Sequence, residues 1–164
     1  LAQRAKAFEM KVVGTLRNMR EVAQVDRVVS LEDIGAELGR TDFLVCCLPL
    51  TEDTRALVDD ALLGQLKPGA VLIDISRGGV VKGEAVLKAL DAGLLKGAAL
   101  DVFEQQPLPA ESPLWKRDDI LITPHVSGTT PHYLERALSV FLDNYNAFVK
   151  GQGMVTLVDQ AAGY

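Results

Sequence analysis

The sequence predicts an α/β fold built on a doubly wound parallel sheet, and two observations carry that prediction. Short runs rich in Val, Ile and Leu recur at residues 11–15, 43–48, 70–75, 97–102 and 120–123. None alternates apolar with polar positions, the pattern of strands covered by helices on both faces. Segments with helical signals separate them, so strand and helix alternate along the chain.

Leu1 to Phe8 reads as the remainder of a helix ahead of the first strand. Ser30-Leu-Glu-Asp33 is a capping box opening a short helix through Leu38. After the second strand, Asp59 precedes Ala61-Leu-Leu63, and Lys67-Pro-Gly69 closes that helix. A third helix runs from Gly83 to Leu90 and ends at Gly93. A fourth, longer one begins at Thr130-Pro131 and carries Leu134, Leu138, Phe141, Leu142, Tyr145, Phe148 and Val149 as a stripe at intervals of three and four residues. The tail 151–164 contains Met154-Val-Thr-Leu-Val158 and is expected to lie over a neighbouring surface.

With 164 residues, 48% of them hydrophobic, the chain supports one ordinary core and is not disordered. A net charge of -5 with no run of Lys or Arg argues against nucleic acid or an anionic membrane as partner and points to a smaller ligand. The longest apolar runs fall well short of the roughly 20 residues of a membrane-spanning helix. Cys46 and Cys47 lie adjacent in an apolar run and read as small core residues. The expected setting is soluble and cytoplasmic.

Parallel sheets of this kind bind ligands outside the carboxyl ends of their strands. The residues there are Leu16-Arg-Asn18, Pro49-Leu-Thr51, Ser76-Arg-Gly78, residues 103–109 and Pro124-His-Val126. Arg77 precedes two glycines, where a guanidinium can clamp a carboxylate beside backbone that a ligand can approach closely. His125 follows the last strand, where an imidazole can exchange a proton with a substrate oxygen. Taken alone, an arginine at such a rim is more often part of a surface ion pair, and a loop hydrogen bond explains the histidine equally well.

Several motifs act together: Leu48-Pro-Leu-Thr51 with Thr54, Lys67-Pro-Gly-Ala70, Ile75-Ser-Arg-Gly-Gly79 with Val80-Val81, Ala98-Ala-Leu-Asp-Val-Phe103, Pro107-Leu-Pro109 with Ser112-Pro-Leu114, and Thr123-Pro-His125. In this order they resemble the cofactor-binding domain of the D-isomer-specific 2-hydroxyacid dehydrogenases along nearly the whole chain. The closing Val158-Asp159 with Gly163-Tyr164 is similar to the end of that family's glyoxylate and hydroxypyruvate reductases. The resemblance implies a Rossmann-like fold, a homodimer, and hydride transfer between a nicotinamide cofactor and a small 2-oxo or 2-hydroxy acid, with no metal. It makes His125 the acid/base and Arg77 the residue that holds the substrate carboxylate and polarises its carbonyl. Asp101 would face the nicotinamide carboxamide, whose amide hydrogen the Ile75 carbonyl would receive; the alternatives are a turn cap for the aspartate and a ladder bond for the carbonyl. Leu48, Pro49, Thr54, Ser76 and Gly128 fall within or beside the matched motifs and join Arg17 and Asn18 as cofactor-binding candidates.

An enzyme using NAD would present Asp or Glu to the ribose after the first strand, whereas Leu16 stands there, followed by Arg17, Asn18 and Arg20. An arginine can pair with a 2′-phosphate, so NADP is expected, with NAD as the alternative.

The chain also departs from the family. The Gly-rich turn and the strand before it would precede Leu1, so residues 1–150 read as a partial dinucleotide-binding domain and 151–164 as a tail. The substrate domain is expected elsewhere, leaving this chain alone inactive. Gln106 stands where the family has a glutamate that pairs with the histidine. An amide can orient the ring but brings no charge to stabilise the imidazolium, which should shift activity toward lower pH. Glu104 is a second candidate partner. Asp74 replaces a usual asparagine and Lys82 a usual aspartate. The rival readings are a non-catalytic, dinucleotide-sensing binding protein like the family's corepressor branch, and an inactive fragment.

Overall fold

Packing centres on a strand that is buried from end to end on one face. In β4 (Ala70–Asp74), Ala70, Leu72 and Asp74 are buried while Val71 and Ile73 are half-buried. The computed structural model describes residues 1–160, so Gly163-Tyr164 lie outside the described residues. Flanking strands β3 (Phe43–Cys46), β5 (Leu95–Leu100) and β6 (Ile120–Ile122) complete a four-stranded sheet in the order β3-β4-β5-β6. All its ladders are parallel, as expected for an α/β fold of Rossmann type. β1 (Val13–Thr15) and β2 (Arg27–Val29) form a separate parallel pair. Among the described residues no ladder joins that pair to β3.

The α-helix that follows β3 begins at a side-chain cap. Asp59 accepts from the Leu62 backbone at 3.0 Å and starts α3 (Asp60–Leu63). α4 (Gly83–Asp91) buries Ala85, Val86, Ala89 and Leu90 against the sheet and stops ahead of Gly93, whose φ of 68° suits a residue without a Cβ. The Ser30–Asp33 box forms, with Ser30 Oγ accepting from Asp33 N at 3.1 Å. It tightens a turn, however, and α2 (Gly35–Leu38) starts only afterwards. α1 is Ala2–Ala7. A 3-10 turn at Pro113–Lys116, capped by Ser112, was not foreseen.

One strand was not anticipated, and the reading of the two cysteines needs correction. β2 was missed because its three residues include Arg27, whose guanidinium reaches the buried Glu37 at 2.7 Å, so the strand lacks an apolar run. Cys46 is buried as expected, and burial with the nearby Asp74 charge pushes its thiol up to about 12, but Cys47 is exposed. The stripe on α5 (Tyr133–Val149) does not enter the core, for no residue of that helix is buried. Val155 and Thr156 lie against α5: Asn144 Oδ1 accepts from Val155 N at 2.8 Å and its Nδ2 donates to Thr156 Oγ1 at 2.6 Å.

Candidate functional site

The register of the sheet creates the site. Cys46 pairs with Asp74, Asp74 with Leu100 and Leu100 with Ile122, so all four strands end level and their next residues emerge on one rim. A cleft of about 940 Å³ opens there. Its wall takes Leu16 and Arg17 from after β1, Leu48, Pro49 and Thr54 from after β3, Ile75, Ser76 and Arg77 from after β4, and Gln106 from after β5. Asn18, Asp101, His125 and Gly128 lie outside that wall.

Asp74 builds the turn that carries Arg77. Its Oδ1 accepts from Ser76 N at 3.0 Å and from Ser76 Oγ at 2.5 Å. Burial pushes the Asp74 carboxyl up, the two Ser76 bonds pull it down, and the Asp101 charge adds to the rise, which prevails. Arg77 Nη1 then donates to the Ser76 carbonyl at 2.8 Å, fixing the guanidinium at the cleft.

Asp101 does the corresponding work for His125. Its Oδ1 accepts from Thr123 Oγ1 at 2.5 Å and Val126 N at 2.8 Å, and its Oδ2 from Ser127 N at 2.9 Å. Burial would raise this carboxyl, but the bonds from Thr123, Ser127 and Val126 together outweigh it and hold the pKa at about 2. Enclosed by these bonds, His125 adopts a left-handed backbone with φ 56°, a conformation that costs a β-carbon residue on the order of 1 kcal/mol. These bonds aim its side chain outward. The carboxylate thus grips the histidine loop, the turn-capping role open to an aspartate at a strand end.

The imidazole meets Gln106: Nδ1 lies 2.9 Å from Oε1. Glu104 also lines the cleft, but the ring's partner is Gln106. Gln106 shares the cleft wall with Arg77, so the imidazole is linked to that wall through the amide. Thr54 has a different task, since its hydroxyl donates to Pro49 O at 2.6 Å and accepts from Thr51 N at 2.8 Å, shaping the loop of the wall. Asp53 and Cys47 line the cleft without having been anticipated. Asp53 stands 3.5 Å from Arg17 in an exposed ion pair, so a carboxylate does occur beside that arginine, brought by a loop remote in sequence.

The family model described as D-isomer specific 2-hydroxyacid dehydrogenase, NAD binding domain, matches residues 1–127. The chain belongs to this family. Glyoxylate reductase of Pyrococcus furiosus is 33% identical over 160 residues, covering 98% of this chain and 47% of that protein. Glyoxylate/hydroxypyruvate reductase A of Salmonella newport is 37% identical over 148 residues, covering 90% of this chain and 47% of that protein. Among solved structures, the NADPH-dependent glyoxylate/hydroxypyruvate reductase of Sinorhizobium meliloti, in complex with NADP and sulfate, superposes with a TM-score of 0.92 at 36% identity, covering 99% of this chain and 52% of that one. The chain therefore spans about half the length of the relatives it matches.

Proposed function

We propose that residues 1–150 are the dinucleotide-binding part of an NADP-dependent reductase acting on a small 2-oxo acid of the glyoxylate or hydroxypyruvate class. The observation that carries this reading is Gln106, which lines the cleft with Arg77 and at the same time touches His125 Nδ1. A cation on the cleft wall and a proton donor joined to that wall through Gln106 suit a substrate that has a carboxylate next to a carbonyl. The cleft also fits an extended dinucleotide: it runs along the carboxyl ends of several strands, with Arg17 on its wall after β1 and Arg77 after β4.

Nicotinamide supplies the hydride when bound. Arg77 takes the substrate carboxylate and draws electron density from the carbonyl oxygen. His125 gives that oxygen its proton through Nε2. Asp101 keeps the histidine loop in place, and Leu48, Pro49, Ile75 and Ser76 provide the wall against which the cofactor lies. Arg17 receives the 2′-phosphate. An exposed ion pair such as Arg17–Asp53 is worth at most about 1 kcal/mol, less than the roughly 1.5–3 kcal/mol of a hydrogen bond to a charged group, so the phosphate displaces Asp53. A homodimer accords with the family.

Steady-state assays on the full-length protein test the proposal. Glyoxylate or hydroxypyruvate should be reduced with NADPH, and His125→Ala should lower kcat by at least about 10²-fold, the lower range of general acid catalysis. Arg17→Ala should reduce the preference for NADPH over NADH. Cofactor binding without turnover of any 2-oxo acid would favour a sensing protein, and an unchanged preference after Arg17→Ala would remove the phosphate assignment.

A further inference from the structure

The loops after β4 and β5 meet at a single residue. A Cβ placed on Gly78 would lie 1.8 Å from the Phe103 carbonyl oxygen and 3.1 Å from Gln106 Nε2, so no side chain fits while Phe103 keeps its place. The φ of Gly78 is not in the left-handed region. What the glycine provides here is closeness of approach, not backbone freedom.

That closeness acts on one amide. The Phe103 carbonyl accepts from Gln106 Nε2 at 3.1 Å. A carbonyl can only accept, so the amide nitrogen is the end turned toward it, and Oε1 is the end 2.9 Å from His125 Nδ1. An amide oxygen also only accepts. Nδ1 must therefore carry a hydrogen, which leaves Nε2 as the ring atom that exchanges a proton.

We propose that Gly78 is a positioning residue for His125: lacking a Cβ, it lets the Phe103 carbonyl close on the Arg77 loop, orient the Gln106 amide and select the Nδ1–H tautomer. The same contact sets the spacing between the loop bearing the guanidinium and the loop leading to the imidazole, because Gly78 directly follows Arg77. A carboxylate at position 106 could not make this relay, having no hydrogen to give Phe103. The proposal deepens the reading of His125 as the acid/base, on which it rests.

Two measurements on the full-length protein test it. Spectra of ¹⁵N-labelled histidine, assigned against His125→Asn, should show the neutral ring of His125 in the Nδ1–H form; a predominantly Nε2–H ring would overturn the proposal. Gly78→Ala should lower kcat for glyoxylate on the order of 10²-fold, the effect of misplacing a reacting group by about an ångström, and should weaken the tautomer preference. In a Gln106→Ala background the same change should cost less than about twofold, because the amide through which it acts is gone. Full additivity of the two losses would mean that Gly78 acts by another route. Should Gly78→Ala fail to fold, the tautomer of the unmutated protein decides alone. Absence of turnover in the wild type would refute the reductase reading but leave the tautomer test of the relay standing.

Discussion

At Asp101 one side chain converts burial into placement. The carboxylate is 3% exposed yet keeps its charge, because three donors from residues 123–127 converge on it. Its folded pKa of about 2 lies below the usual value of 3.8, so the ionised form stabilises the fold. The contribution is fully present above about pH 4 and is lost as pH falls through about 2. A shift of this size corresponds to about 2 kcal/mol. Asp101→Asn should remove that amount at pH 7, since an amide sets an N–H against either Ser127 N or Val126 N, both of them donors. Urea denaturation of both proteins between pH 2 and 7 checks this: the gap should close toward pH 2, and a gap constant with pH would mean that the ionised carboxylate is not what holds the loop.

Among the elements, the shortest ones depend most on their ends. α3 has four residues, so its N-terminal donors are a large share of its backbone groups, and the bond from Leu62 N to Asp59 at 3.0 Å satisfies one of them. Asp59→Ala should cost about 1 kcal/mol, readable as a lower urea midpoint with unchanged slope. Such caps were legible in the sequence, because a side chain that bonds three residues ahead is a local event. The strands of the main sheet were legible for a similar reason: burial of one face with half-burial of the other leaves no polar alternation in runs such as Val71-Leu-Ile73. β2 was not legible, since it is held by Val13↔Arg27 pairing and by the Arg27–Glu37 contact, both longer in range than any periodicity.

Across the whole molecule, the convergence of Arg77 and His125 on one rim could be anticipated from strand order, whereas the couplings that refine it could not. Asp101 to Ser127, Gln106 to His125 and Arg17 to Asp53 each join separate loops, and loop conformation leaves no periodic trace in sequence. The same limit applies to α5, whose three-and-four spacing foretells an apolar face but not what lies against it. In the described residues that face is open: Leu134 is 78% exposed, Phe141 60% and Phe148 70%. Soluble proteins rarely leave contiguous apolar patches of more than a few hundred square ångströms in water. The 164-residue chain produced by itself should therefore bind a hydrophobic dye such as ANS and sediment with a mass that rises with concentration. Leu138→Glu with Phe141→Glu should suppress both behaviours. Because neither residue is buried, the pair should leave the stability of the sheet within about 0.5 kcal/mol of the parent. Association that survives both charges would mean another surface drives it, and a large drop in stability would mean that α5 packs on the sheet after all.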